Sequence, residues 1–247
     1  KAFLEASAEA QSAFGDSSLY MEKLILRGRH IEFQVLSDGN RTVIVGEREC
    51  SIQRRHQKLL EETPSVAVND IQRQALCEQI ASVVHKLGYL GAGTIEMLRD
   101  EDGTIYFMEM NTRLQVEHPV TELITGLDLV EWQLLVAAGE RLPLLQDDIV
   151  ETGHAFEARL YAEDPFDFRP QTGRISHLRF PGSPARVDTG VRRDDTVSIH
   201  YDPMIAKLIV HGRDRKEALG RMSAALAETE VGGLVTNQPF LARLAAH

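Results

Sequence analysis

The run Glu109-Met110-Asn111-Thr112-Arg113-Leu114-Gln115-Val116-Glu117 constrains this chain more than any other feature. Every odd position in it is polar, and every even position is apolar or Thr. A strand sends alternate side chains to opposite faces, so the run predicts one face packed into a core. The other face presents Glu109, Asn111, Arg113, Gln115 and Glu117 in a row. A half-buried strand with a solvated outer face shows the same alternation. Asn and Gln are poor choices for such a face, where β-branched and aromatic residues serve better, and that composition favours a functional surface.

Upstream, Gly91–Arg99 also reads as a strand, and Asp102-Gly103 is a turn signal between the two. A hairpin centred there sets Glu101 opposite Thr104 and Glu96 opposite Glu109. Opposed side chains lie about 4.5–5.5 Å apart at Cβ, a distance at which like charges repel. A cation between them reverses that sign. Hard oxygen ligands suit Mg²⁺ or Mn²⁺, and Asn111 adds a neutral third oxygen. Arg113 follows on the same face with a planar fork suited to a carboxylate-like or phosphate oxyanion. Glu117 ends the row where it can act as a base. Together these groups describe phosphoryl transfer to an acidic nucleophile.

The rest of the chain reads as α+β. Residues 1–14 have a helical pattern stopped by Gly15, and residues 18–26 read as a strand. Residues 30–37 alternate and turn through Asp38-Gly39-Asn40 into a strand over Arg41–Val45. Residues 47–62 look charged and irregular. Asn69 or Asp70 caps a helix to about Leu87, and Asp128 caps another that reaches Ala138. Beyond a change near residue 150, His154–Tyr161, Arg174–Phe180, Arg186–Val191 and Ile205–Val210 read as strands. Helices over Arg215–Glu228 and near the C-terminus follow.

At 43% hydrophobic and 26% charged, the composition is that of an ordinary globular chain. A net charge of −10 argues against a nucleic-acid partner, which needs a basic face. No apolar run approaches the ~18–20 residues of a membrane helix. Two cysteines, Cys50 and Cys77, cannot build a disulfide framework. That fits a reducing compartment, the cytoplasm or a mitochondrial matrix. The basic cluster Arg54, Arg55, His56 and Lys58 also reads as a solvated loop. Arg159 also reads as an ion-pair partner of Glu157, and His200 as structural.

Four runs carry a family resemblance. Glu109–Glu122, Glu47–Lys58, His154–Asp164 and His200–Lys207, in this order, resemble the motifs of biotin carboxylase, an ATP-grasp enzyme. The resemblance covers nearly the whole chain. The wording around Glu131-Trp132-Gln133 and His154–Arg159 is most similar to the biotin-containing subunit of methylcrotonoyl-CoA carboxylase. It implies the end of an ATP-grasp lid subdomain over 1–26, the C-terminal half of the ATP-grasp core over 27–150, and a biotin carboxylase C-terminal domain over 151–247. Glu96, Glu109 and Asn111 fall on metal ligands that bridge ATP. Glu22, Lys23, Leu24, Ile25, His30, Gln53 and His56 fall on nucleotide contacts. Lys58, Arg113, Gln115 and Val116 fall on bicarbonate contacts, Glu117 on the base, and Arg159 on the group that steadies biotin's enolate-like form. Implied partners are ATP, Mg²⁺ or Mn²⁺, bicarbonate, a biotin carried on a separate domain, a carboxyltransferase and a second copy in a homodimer. No GxGxxG or GxxxxGK[ST] loop occurs. The chain is therefore expected to be a fragment, weakly active or inactive alone. Other ATP-grasp ligases, which lack the 47–58 and 154–164 runs in this form, and a non-catalytic fragment that keeps the fold are the competing readings.

Overall fold

The computed structural model describes all 247 residues, Lys1–His247. Helix α1 (Ala2–Phe14) ends at Gly15, which takes the left-handed conformation expected of a helix stop. None of its side chains is buried. Residues 18–26 form no strand, contrary to the sequence expectation. Tyr20, Met21, Leu24 and Leu26 are exposed, so no apolar face is packed against a neighbour to hold an extended pairing.

Strand β1 (Arg29–Asp38) turns through Gly39 into β2 (Thr42–Arg54), which continues into β3 (Gln57–Thr63). Asp38 Oδ1 accepts the Asn40 and Arg41 N–H groups and tightens the first turn. The charged stretch 47–62 is therefore a hairpin rather than an irregular loop. Its charges are tolerated because they are paired inside the protein, and Glu47, Arg48, Glu49, Glu61 and Glu62 are all buried. The β2–β3 turn is the pair Arg55-His56, both at positive φ, as a type I′ two-residue hairpin loop requires.

Helix α2 (Asp70–Lys86) is capped by Asn69, whose side chain accepts the Gln72 N–H. It is followed by β4 (Leu90–Arg99) and β5 (Ile105–Asn111). Strand β5 stops at Asn111, so the alternating run is strand only in its first third. Residues beyond it lead into α3 (His118–Thr125), which carries Pro119 in its first turn and ends at left-handed Gly126. Asp128 caps α4 (Leu129–Ala137) by accepting the Glu131 N–H.

The C-terminal part contains β6 (His154–Tyr161), the short strands β7 (Gly173–Arg174) and β8 (His177–Arg179), β9 (Arg186–Thr189), β10 (Thr196–Val197) and β11 (Met204–Gly212). Helix α5 (Arg215–Glu228), β12 (Glu230–Gly232) and α6 (Gln238–Ala246) complete it. The strand expected over 174–180 is split because β7 pairs with β10 and β8 with β12. One antiparallel sheet runs through the molecule in the order β5-β4-β1-β2-β3-β6-β11-β9. Ile31, Phe33 and Val35 of β1 pack with Ile80 and Val84 of α2. Phe156, Ala158 and Leu160 of β6 pack with Ala218, Met222 and Leu226 of α5. The alternate side chains Glu32 and Gln34 of β1 and Glu157 and Arg159 of β6 point the other way. They are buried too, which gives the sheet a charged interior stripe. No helix is long and apolar enough to cross a membrane.

Candidate active site

The β4–β5 hairpin builds one wall of the site. Glu96 and Glu109 are direct cross-strand partners, and Thr94 opposes Asn111. Nearer the turn the pairing is Arg99 with Ile105 and Met97 with Phe107. That is one residue off the register expected from a turn centred on Asp102-Gly103. A bulge between Glu96 and Met97 takes up the difference and brings the two carboxylates face to face.

Asn111 Nδ2 lies 3.0 Å from Glu96 Oε1 and 3.3 Å from Glu109 Oε1, bridging both acids. Turning the amide about its last bond presents Oδ1 in place of Nδ2. Two carboxylates and an amide oxygen, exposed on the Glu109 side, make a hard donor set that fits a divalent cation. Two other acidic groupings, His30-Glu32-Glu96 and Glu32-Cys50-Glu117, are also compact. They are already neutralised, since Glu32 accepts from Arg48 and from Lys58.

The hairpin turn at Arg55-His56 sends Lys58 into the charged stripe. Its Nζ lies 2.6 Å from Glu117 Oε1, 2.7 Å from Glu32 Oε2 and 3.2 Å from Glu96 Oε1. Lys58 is therefore not a solvated loop residue. Burial opposes its charge, but Glu32 and Glu117 outweigh burial and raise its pKa.

Glu117 is the N-cap residue of α3 and is almost wholly buried. Arg159 Nη2 donates to Glu117 Oε2 at 2.9 Å, opposite Lys58. Burial alone would raise the Glu117 carboxyl. The charges of Lys58, Arg159 and Arg48 win and hold it well below the usual carboxylate range. For Glu96, burial is likewise outweighed, by the His30 imidazole and Lys58, which lower it to about 2. Arg159 donates through Nε to Glu61 rather than to Glu157, which overturns the expected Glu157 pairing.

These side chains line a cleft of about 330 Å³. It gathers His56, Lys58, Glu96, Glu109, Asn111, Arg113, Gln115, Val116, Glu117 and Arg159. Arg113 is exposed and has no carboxylate partner, which leaves its fork free for an anion; its one hydrogen bond goes to the Leu114 carbonyl. Gln115 is buried and donates to Glu96 while accepting from Arg48. The Val116 carbonyl accepts from Lys207 Nζ.

The other predicted residues stand apart from this cleft. Glu22 and Leu24 are exposed and Ile25 half-buried on the segment before β1. Lys23 reaches Asp100 Oδ2 at 2.8 Å and Tyr106 at the far end of the β4–β5 hairpin. His30 stands behind Glu96, 2.9 Å from its Oε2, and contacts Gln53. His200 is exposed. Sequence reasoning missed Gln57, Tyr161 and Asp202, which also line the cleft. Gln57 lies inside the 47–58 run, Tyr161 inside the 154–164 run and Asp202 inside the 200–207 run, so a signal existed for all three. Glu32, Arg48 and Glu61 were missed because their partners are distant in sequence.

Residues 1–145 match the family described as the carbamoyl-phosphate synthase L chain, ATP binding domain. Residues 157–247 match the biotin carboxylase C-terminal domain. The chain belongs to the ATP-grasp biotin carboxylase family. Among biotin carboxylase relatives, that of Nostoc is 52% identical over 99% of the chain, which spans 55% of its length. The mitochondrial methylcrotonoyl-CoA carboxylase subunit alpha of Rattus norvegicus is 50% identical over 98% of the chain, which spans 34% of its length. The biotin carboxylase domain of Hydrogenobacter thermophilus 2-oxoglutarate carboxylase, solved as a dimer with MgADP, ADP and bicarbonate, superposes with a TM-score of 0.95 at 43% identity. That match covers 100% of this chain and 55% of that one.

Proposed function

We propose that this chain forms the metal-, bicarbonate- and biotin-facing wall of an ATP-dependent biotin carboxylase, within a biotin-dependent acyl-CoA carboxylase. The observation that carries this reading is the seating of Glu117. A buried carboxylate lies between Lys58 and Arg159, beside an uncommitted Arg113 and next to the opposed Glu96–Glu109 pair. Structures of relatives that hold MgADP and bicarbonate support it.

In this reading Glu96, Glu109 and Asn111 hold Mg²⁺ or Mn²⁺. The ion neutralises nucleotide phosphate charge when bound. Glu22, Lys23, Leu24, Ile25, His30, Gln53 and His56 serve the nucleotide. Lys58, Arg113, Gln115 and the Val116 backbone hold bicarbonate. An anion entering there shares Lys58 and Arg159 with Glu117. That withdraws part of the charge holding the carboxyl down and makes Glu117 a better base. Glu117 takes the bicarbonate proton, a bicarbonate oxygen attacks the γ-phosphorus, and ADP leaves, giving carboxyphosphate. That species breaks into CO₂ and phosphate, and phosphate takes the proton from biotin N1. Arg159 steadies the resulting enolate-like oxygen while N1 attacks CO₂. A biotin carrier domain brings the acceptor, a carboxyltransferase uses the product, and the active form is a homodimer in a reducing compartment.

Arg113 tests the reading. With the chain completed to the length of its biotin carboxylase relatives, Arg113→Ala is expected to lower bicarbonate-dependent ADP release by about 10²–10³. The KM for MgATP should stay within about threefold, because Arg113 meets the nucleophile rather than the nucleotide. A loss confined to the KM for MgATP would move Arg113 to the nucleotide and sink this assignment.

A further inference from the structure

Two buried acids behind Arg159 are not used by the mechanism above. Glu61 of β3 and Glu157 of β6 are direct cross-strand partners, and both are fully buried. Like charges so placed repel strongly in a dry interior. Glu61 Oε1 accepts from Arg159 Nε, but Glu61 Oε2 and both Glu157 oxygens have no hydrogen-bond partner. Lys207 Nζ, the nearest cation to Glu157, stands 3.6 Å from its Oε2 and is shared with Asp188 and the Val116 carbonyl. The other titratable groups around the pair are Glu117, held by Arg159, Lys58, held by Glu32 and Glu117, and the buried Cys50 thiol, which donates to Glu117. Three orphaned acceptors with no donor within hydrogen-bond distance describe a site that lacks a proton, since a buried oxygen left unpaired is costly.

We propose that Glu157 is kept protonated and donates to Glu61, which thereby acts as a positioning residue that orients Arg159 and sets how much positive charge it presents to the cleft. The proposal rests on the biotin carboxylase reading for Arg159. With Glu61 ionised, Arg159 is divided between two carboxylates, Glu61 and Glu117. With Glu61 protonated, its charge goes to Glu117 and to any anion in the cleft. Burial, only partly offset by Arg159, raises the Glu61 carboxyl to about 7, and burial with the Glu61 charge pushes Glu157 well above the usual range. The sign follows. Glu61 is ionised above about pH 7 and takes a proton as the pH falls through it.

The test uses the completed enzyme, with Glu61→Gln and Glu157→Gln as near-isosteric variants. The wild-type profile of kcat/KM for free biotin should inflect near pH 7. Glu61→Gln, a neutral acceptor for Arg159 Nε at every pH, should abolish that inflection and hold kcat/KM for biotin at the value reached below pH 7, with the KM for MgATP within about twofold. Glu157→Gln, whose amide N–H is a weaker donor to the Glu61 carboxylate than a carboxyl O–H, should move the inflection to higher pH. An unmoved inflection in both variants, or an equal change for biotin and MgATP, overturns the proposal. Infrared difference spectroscopy supplies an arm that does not depend on activity. A protonated-carboxyl stretch present above neutral pH and lost in Glu157→Gln supports the shared proton, and its absence from the wild type refutes it. Failure of the biotin carboxylase reading shows separately, as wild-type ADP release indifferent to biotin.

Discussion

Replacing Glu117 with Gln is expected to lower the kcat for bicarbonate-dependent ADP release by roughly 10³–10⁴, near the upper range for loss of a positioned base. Gln keeps the shape of the side chain but cannot take a proton. Glu117 accepts from Lys58 at 2.6 Å and from Arg159 at 2.9 Å, so the substitution also frees two cations that face the cleft. An anion then meets more positive charge than before. The KM for bicarbonate should therefore fall or hold while kcat collapses. A rise in that KM with kcat intact would make Glu117 a binding group and remove it from proton transfer. Steady-state kinetics in bicarbonate and in MgATP separate the two outcomes.

The second large effect is on stability. Arg48 is fully buried. Its guanidinium donates to Glu32 Oε1 at 2.5 Å, Gln34 Oε1 at 2.7 Å, Thr121 Oγ1 at 3.0 Å and Gln115 Oε1 at 3.2 Å. It ties β1 and β2 to α3 and to the loop that carries the site. Arg48→Met removes every one of those donors and leaves Glu32 with Lys58 as its only cation. Breaking a buried pair from one side costs about 3–5 kcal/mol. Urea unfolding should show a midpoint lowered to match, at unchanged slope. Arg48→Met combined with Glu32→Gln should recover part of the loss, because the stranded charge is gone. A single-mutant cost below about 1 kcal/mol would mean that the network does not hold this region together.

The contrast between these two residues explains what was legible in the sequence. Glu96 and Glu109 were legible because period-two alternation and an Asp-Gly turn define a hairpin locally. The bulge beside Met97 was not, because it depends on how the turn closes in three dimensions. The order Arg113, Gln115, Glu117 reads as a continued strand, yet the chain leaves the sheet at Asn111 and enters α3. Pro119 and Gly126 were the signals for that helix, a proline near its start and a glycine after its end. Arg48 and Glu61 stayed hidden, and Glu157 was paired with the wrong partner, for a different reason. A charged residue within a strand looks solvated until its partner is known, and these partners lie on other strands. Residues 18–26 show the opposite failure, because strand propensity without an apolar face to cover does not make a strand.

Isotope transfer tests the central claim most directly. Bicarbonate carrying ¹⁸O at all three positions is supplied to the completed enzyme with MgATP and biotin, and the released phosphate is analysed by mass. If a bicarbonate oxygen attacks the γ-phosphorus, each phosphate formed retains one ¹⁸O while the rest leaves with the carboxyl group. Unlabelled phosphate released at the same rate as ADP would mean that water is the nucleophile, and the role assigned to the Lys58–Glu117–Arg113 cleft would be wrong.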